Sequence, residues 1–197
     1  MVAHADEMCV YIGSYDGSIS NRYGDKRGVY VYGLSPDTGE LRYASHNDAP
    51  TNPSYVAVSA DRRHLYSVDE HPVGSEQRGA LSAYAINPIT SSLTFLNRKS
   101  TPGARPCHVS LDKTGNWALV ANAVSGNVSV LPIRSDGTLG DAVETVEHYG
   151  RSIHTTQTYY DDRVMSPAAP PQKGHHTTLL QGALTYGESV RAACWGT

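Results

Sequence analysis

The 197-residue chain holds one phenylalanine, two tryptophans and three cysteines. Cys9, Cys107 and Cys194 are odd in number and lack metal-ligand spacing, which argues against a disulfide framework and for a reducing, cytoplasmic setting. No run approaches the ~18 consecutive apolar residues of a membrane span, so no membrane association is expected. Met1–Glu7 lack the basic start and apolar run of a secretory leader. An excess of one charge is also missing. With 16 Lys+Arg against 19 Asp+Glu, the net charge of -3 leaves no broad electrostatic footprint for nucleic acid. At roughly 150 residues per domain, the length corresponds to one domain with an appendage. A chain of that size buries about two-thirds of its unfolded surface.

What is abundant points elsewhere. The chain has 13 Tyr, 18 Gly and 11 Pro, and good helical patterns are scarce. Tyr, Val and Thr suit a half-buried pleated surface, while Gly and Pro punctuate turns, so the fold class is all-β. A repeat then sets the architecture. Gly28-Val-Tyr-Val-Tyr-Gly-Leu-Ser-Pro-Asp-Thr-Gly-Glu-Leu41 returns in the segment from Gly79 to Leu93, and again from Gly126 to Leu139. A second unit, from Pro53 to Asp69, matches Pro106 to Asn122 without gaps. The starts lie 51, 47 and 53 residues apart (28 to 79, 79 to 126, 53 to 106). Four short strands per period of this length form a β-propeller blade.

The pattern predicts strands Val10–Ser14, Val29–Leu34 and Leu41–His46 in a first, three-stranded blade. The second blade is predicted as Ser54–Ser59, Leu65–Asp69, Ala80–Ile86 and Leu93–Arg98. The third is predicted as Cys107–Asp112, Trp117–Asn122, Asn127–Ile133 and Ala142–His148. Residues 8–150 thus form a partial propeller of antiparallel four-stranded blades. Residues 151–197 hold no further copy of either unit and are expected to be a disordered tail, or the product of a shift in reading frame. Three blades cannot close a ring, so an open flank prone to self-association is expected.

The blades resemble the seven-bladed propeller lactonases, the family that includes propeller-type 6-phosphogluconolactonases and fungal carboxymuconate cyclases. Tyr11-Ile-Gly-Ser-Tyr15, Gly28–Leu41, Asn52-Pro-Ser-Tyr55, Val68-Asp-Glu70, Arg105-Pro-Cys-His108 and Gly126-Asn-Val-Ser-Val130 carry the likeness, over roughly Val10 to Gly150. The family has seven blades where this chain supplies about three, and the likeness ends after Ser152-Ile153-His154. The resemblance implies a cofactor-independent sugar-lactone hydrolase acting on a small-molecule lactone, with 6-phosphogluconolactone as the first choice of substrate. A carboxymuconate cycloisomerase and a non-catalytic propeller fragment are the alternatives, and so short a chain is expected to be a candidate for inactivity.

Lactone hydrolysis needs a base for water and a donor for the developing oxyanion. In blade order, Glu70, His71, Arg105, Cys107, His108, Asn122 and the Asp16–Arg27 loop fall on one rim, the candidate mouth. The turns at Pro36-Asp37, Asp61-Arg62 and Thr114-Gly115 fall on the other. His108 opens an innermost strand and is not dictated by the repeat, whose matching residue is Tyr55. The imidazole is the side chain suited to accept a proton near neutrality. Glu70 is a second candidate base, although a carboxylate at a strand end is commonly a solvated cap. Arg105 can hold an anion bidentately. Arg22, Lys26, Arg27 and Asn122 complete the candidate substrate-binding set. Cys107 is expected to point away from His108, because strand neighbours face opposite sides. The His175-His176 pair lacks ligand partners, so no metal is expected. There is no G-x-S-x-G elbow.

Overall fold

The computed structural model describes residues 7–14, 28–50, 52–70, 79–123 and 125–148, together with the backbone of 192–195. Twelve β-strands form three four-stranded sheets among these residues. The first sheet holds β1 (Met8–Ser14), β2 (Gly28–Leu34), β3 (Leu41–Asn47) and, at its inner edge, β12 (Ala192–Trp195) in the order β12-β1-β2-β3. The second is the meander β4 (Val56–Val58), β5 (His64–Asp69), β6 (Ala80–Ile86) and β7 (Leu93–Ser100). The third is β8 (Pro106–Leu111), β9 (Trp117–Asn122), β10 (Asn127–Pro132) and β11 (Glu144–Glu147). Every pairing is antiparallel.

The first blade therefore differs from its expected three strands. Ala192–Trp195 pairs with β1, Val10 lying opposite Cys194, and supplies the missing inner strand. This segment carries no copy of the repeat, so nothing in its sequence marks it as part of a blade. The remainder of the expected tail, residues 151–191 and 196–197, lies outside the described residues.

Alternation explains the packing. In β2, Val29 and Val31 are buried while Tyr30 and Tyr32 take the other face, as the two-residue strand period requires. The core lies between blades, not inside one. Tyr11, Val29 and Val31 of the first blade meet Val56, Val58, Leu65 and Tyr84 of the second. On its other face, the second blade sets Tyr66, Val68, Leu81 and Ala83 against Val109, Ala118, Val120, Leu131 and Leu139 of the third.

Both junctions carry the same polar clasp. Tyr11 donates its hydroxyl to the Ser91 carbonyl at 3.2 Å, and its counterpart Tyr66 donates to the Gly137 carbonyl at 3.1 Å. Each acceptor sits in the turn between its blade's third and fourth strands. Asn47 Nδ2 donates to the Leu93 carbonyl at 3.2 Å, and Asn97 Nδ2 to that of Leu139 at 2.8 Å. The turns share a backbone device: Gly39, Ser91 and Gly137 all take a left-handed conformation, with φ of 74°, 57° and 82°. Side-chain oxygens hold these turns, as when Asn87 Oδ1 accepts the amides of Ile89 and Thr90. Even the irregularities repeat, with register shifts between Val31 and Tyr32 and between the matching Ala83 and Tyr84.

Candidate active site

The three edge strands β12, β4 and β8 come together, β4 touching both of the others, so their residues form the inner side of the blade stack. The chain enters β4 and β8 by one kind of crossing. Asn52-Pro53 leads into the second blade and Arg105-Pro106 into the third, and the residue before proline is left-handed in both (φ 49° and 55°). Its carbonyl accepts an amide from the end of the same blade's second strand: Glu70 N on Asn52 O at 3.4 Å, Ala123 N on Arg105 O at 2.9 Å. Asn tolerates this conformation. Arg does so only under constraint, because φ is positive and the following proline restricts it further. Strain of about 1–3 kcal/mol at such a residue persists only where its surroundings over-determine it.

Those surroundings include Glu70. The Arg105 guanidinium lies 3.5 Å from the Glu70 carboxylate, whose side chain is 3 % exposed while that of Arg105 is 31 % exposed. Glu70 thus holds Arg105 from its buried side. Three residues along, the His108 ring packs at 4.3 Å from the Tyr55 ring, tilted by 47°. His108 Nδ1 is sealed from solvent. The strand shifts register between Pro106 and His108, so strict alternation fails at Cys107 and does not assign its face. The Cys107 thiol lies 3.6 Å from the Ala121 carbonyl.

Of the residues singled out in the sequence, Glu70 and Arg105 meet at the crossing into the third blade, and His108 lies three residues further along, against Tyr55. Asn122 is turned into its own blade. It is 2 % exposed, and its Nδ2 donates to Asn127 Oδ1 at 2.9 Å and Ser129 Oγ at 3.0 Å. The same place in the second blade holds Asp69, which accepts from Ser82 at 2.8 Å and pairs with Arg98 at 2.8 Å. Asn122 therefore sits in a cross-brace within its blade. Arg22, Lys26, Arg27 and His71 lie outside the described residues. Tyr55 is the site member that sequence reasoning passed over, and the signal was available: it is the repeat counterpart of His108. Among the described residues no three His, Cys, Asp or Glu side chains converge on a metal position. No helix among them is long and apolar enough to cross a membrane.

The fold defines a β-propeller in which the crossing into the third blade carries Arg105 paired with Glu70, and the inner strand that follows carries His108. The model of the family described as "Lactonase, 7-bladed beta-propeller" matches residues 9–161, and the chain belongs to that family. It is 34 % identical over 150 residues to a 6-phosphogluconolactonase of Bacillus subtilis, covering 76 % of this chain and 41 % of the relative. A Bacteroides uniformis crystal structure, provisionally named a 6-phosphogluconolactonase, superposes with a TM-score of 0.68 at 30 % identity, over 79 % of this chain and 42 % of that one. The periplasmic gluconolactonase of Pseudomonas aeruginosa gives 0.66 at 28 %, over 76 % and 41 %. The chain thus spans about two-fifths of the length of the relatives it matches.

Proposed function

We propose that the chain takes part in hydrolysis of a sugar lactone, with 6-phosphogluconolactone as substrate and 6-phosphogluconate as product. The observation that carries this reading is the left-handed Arg105, held by the buried Glu70 carboxylate on the crossing that leads three residues later to His108. The lactonase names of the relatives above support it.

In this mechanism His108 accepts a proton from water as the oxygen attacks the lactone carbonyl. The carbonyl oxygen becomes an oxyanion facing Arg105, whose guanidinium stabilises the charge. Collapse of the tetrahedral intermediate breaks the acyl–oxygen bond of the ring, and His108 returns the proton to the departing hydroxyl. Glu70 acts by holding Arg105, not as the base, because its carboxylate is engaged and nearly sealed from solvent. Arg22, Lys26 and Arg27 are proposed to meet the phosphate. The reading requires no cofactor, and the odd number and spacing of the cysteines favour a cytoplasmic setting.

Acid release in a pH-stat tests the proposal, with 6-phosphogluconolactone and its unphosphorylated analogue as substrates. The expected outcome is a rate above spontaneous hydrolysis that falls about 10²-fold or more in His108→Ala. A purified, folded chain that shows no acceleration, or one whose rate ignores His108→Ala, defeats it.

A further inference from the structure

Tyr55 and His108 hold the same place in successive repeats, each two residues after the proline of its crossing. The crossings fix where those places lie. Pro53 rests on Gly13 and Pro106 on Gly79, each a glycine of the preceding blade, and a Cβ on either glycine would collide with its proline. Beyond the proline, the backbone is tied to the second strand of its own blade. Val68 N donates to the Tyr55 carbonyl at 3.0 Å, and His108 stands in register with Ala121 on β9. With β4 and β8 in contact, the two equivalent side chains meet ring to ring, their centroids 4.3 Å apart.

That separation has a chemical consequence. A cation within about 6 Å of an aromatic centroid is attracted by the ring's quadrupole. Neutral imidazole gains little from such a neighbour, whereas the imidazolium formed when His108 takes a proton gains from it. Among the described residues, the ionisable groups around this pair are engaged with other partners. Of the strands packed against β8, neither β4 nor β9 carries an ionisable side chain. On β5, His64 lies against Gly137, Tyr66 donates to the Gly137 carbonyl, and Asp69 is paired with Arg98. On the crossing Arg105 is paired with Glu70, and on β8 itself the Cys107 thiol lies on the Ala121 carbonyl.

We infer that Tyr55 is a positioning residue for His108: its ring holds the imidazole in place and favours the imidazolium that forms as water gives up its proton. This inference rests on the hydrolytic reading above, and it assigns to the tyrosine ring, not to its hydroxyl, a share in stabilising the charge that develops on the base.

NMR titration of the His108 imidazole in the whole chain tests this, the signal being identified by its loss in His108→Ala. Tyr55→Leu keeps apolar packing against the core between second and third blades and removes the ring. In that variant the proton affinity of His108 is expected to fall about 3-fold, moving its titration about half a unit to lower pH. The acid limb of the pH–rate profile for lactone hydrolysis should move the same way, with kcat about 3-fold lower or more and KM little changed. Tyr55→Phe keeps the ring and is expected to recover both losses. A titration in Tyr55→Leu that matches the wild type overturns the inference. So does a loss of rate that Tyr55→Phe fails to recover, which would give the role to the hydroxyl. The titration needs no turnover, so the two readings fail separately. If it moves as expected while the wild type hydrolyses no lactone, the ring's hold on the imidazolium stands and the hydrolytic reading falls. Thermal melts verify that the variants are folded, with Tyr55→Met replacing Tyr55→Leu if that one is not.

Discussion

Several positions here are occupied for reasons that only three-dimensional neighbours reveal. Gly137 combines a left-handed backbone with a close approach to His64, while Gly39 has the backbone requirement alone. Gly137→Ala should therefore destabilise by about 2 kcal/mol or more, and Gly39→Ala by about 1 kcal/mol, the ordinary cost of a Cβ in this conformation. Denaturant titration of the two variants separates strain from collision, and equal losses would show that His64 simply moves aside. Ser91 holds the same conformation with a side chain, showing that glycine is preferred at this turn but not required. Arg105 and Asn52 could not be recognised as left-handed from sequence, because a proline after them argues for extended backbone. Arg105 was legible as a candidate by its chemistry. Its strain and its tie to Glu70 were not, since both depend on a crossing that joins strands from different parts of the chain.

Strands and turns were far easier to read. The predicted boundaries of β5, β6, β9 and β10 fall within about a residue of those observed, because alternation and turn residues are local signals. β4 was drawn too long, as Ser54–Ser59 where the strand runs Val56–Val58, since Ser54 and Tyr55 belong to the crossing. β12 was invisible, its pairing being a contact with β1 at the far end of the sequence. The bracing bonds of Asn122 were not legible for a related reason: a polar residue at a strand end looks the same whether it faces a channel or braces its blade. The tyrosine clasp is an element-level device and makes its own prediction. Tyr66→Phe keeps the packing but strands the Gly137 carbonyl, so a loss of about 1–2 kcal/mol is expected in chemical denaturation. A neutral substitution would mean that water reaches that carbonyl.

For the molecule as a whole, the concentration of tyrosines in the junctions sets its behaviour in alkali. Burial is the leading cause that holds the phenols of Tyr11, Tyr66 and Tyr84 well above their ordinary range. In the unfolded chain the same phenols ionise near about pH 10. The folded state therefore binds more protons than the unfolded state above that pH. The stability these groups contribute is complete below pH ~10 and declines as pH rises toward their folded values. Melting temperatures should fall steeply beyond pH ~10, with phenolate absorbance of these three residues appearing only on unfolding. A flat profile across that range would show that the junctions open without unfolding.

Because the core lies between blades, every blade is stabilised chiefly by its neighbours, and among the described residues the second blade alone has an internal junction on both faces. Stability along such a stack behaves as a chain of nearest-neighbour couplings. Backbone amides should then record position in the stack when the protein is placed in deuterated water. Those of β5 and β6 are expected to exchange last, in a single cooperative group. Those of β3 and β11, outermost strands of the blades with one internal junction, should exchange through smaller local openings. The slowest protons would thus mark the middle of the array, far from either end of the polypeptide, and their rate would measure how firmly one blade holds the next.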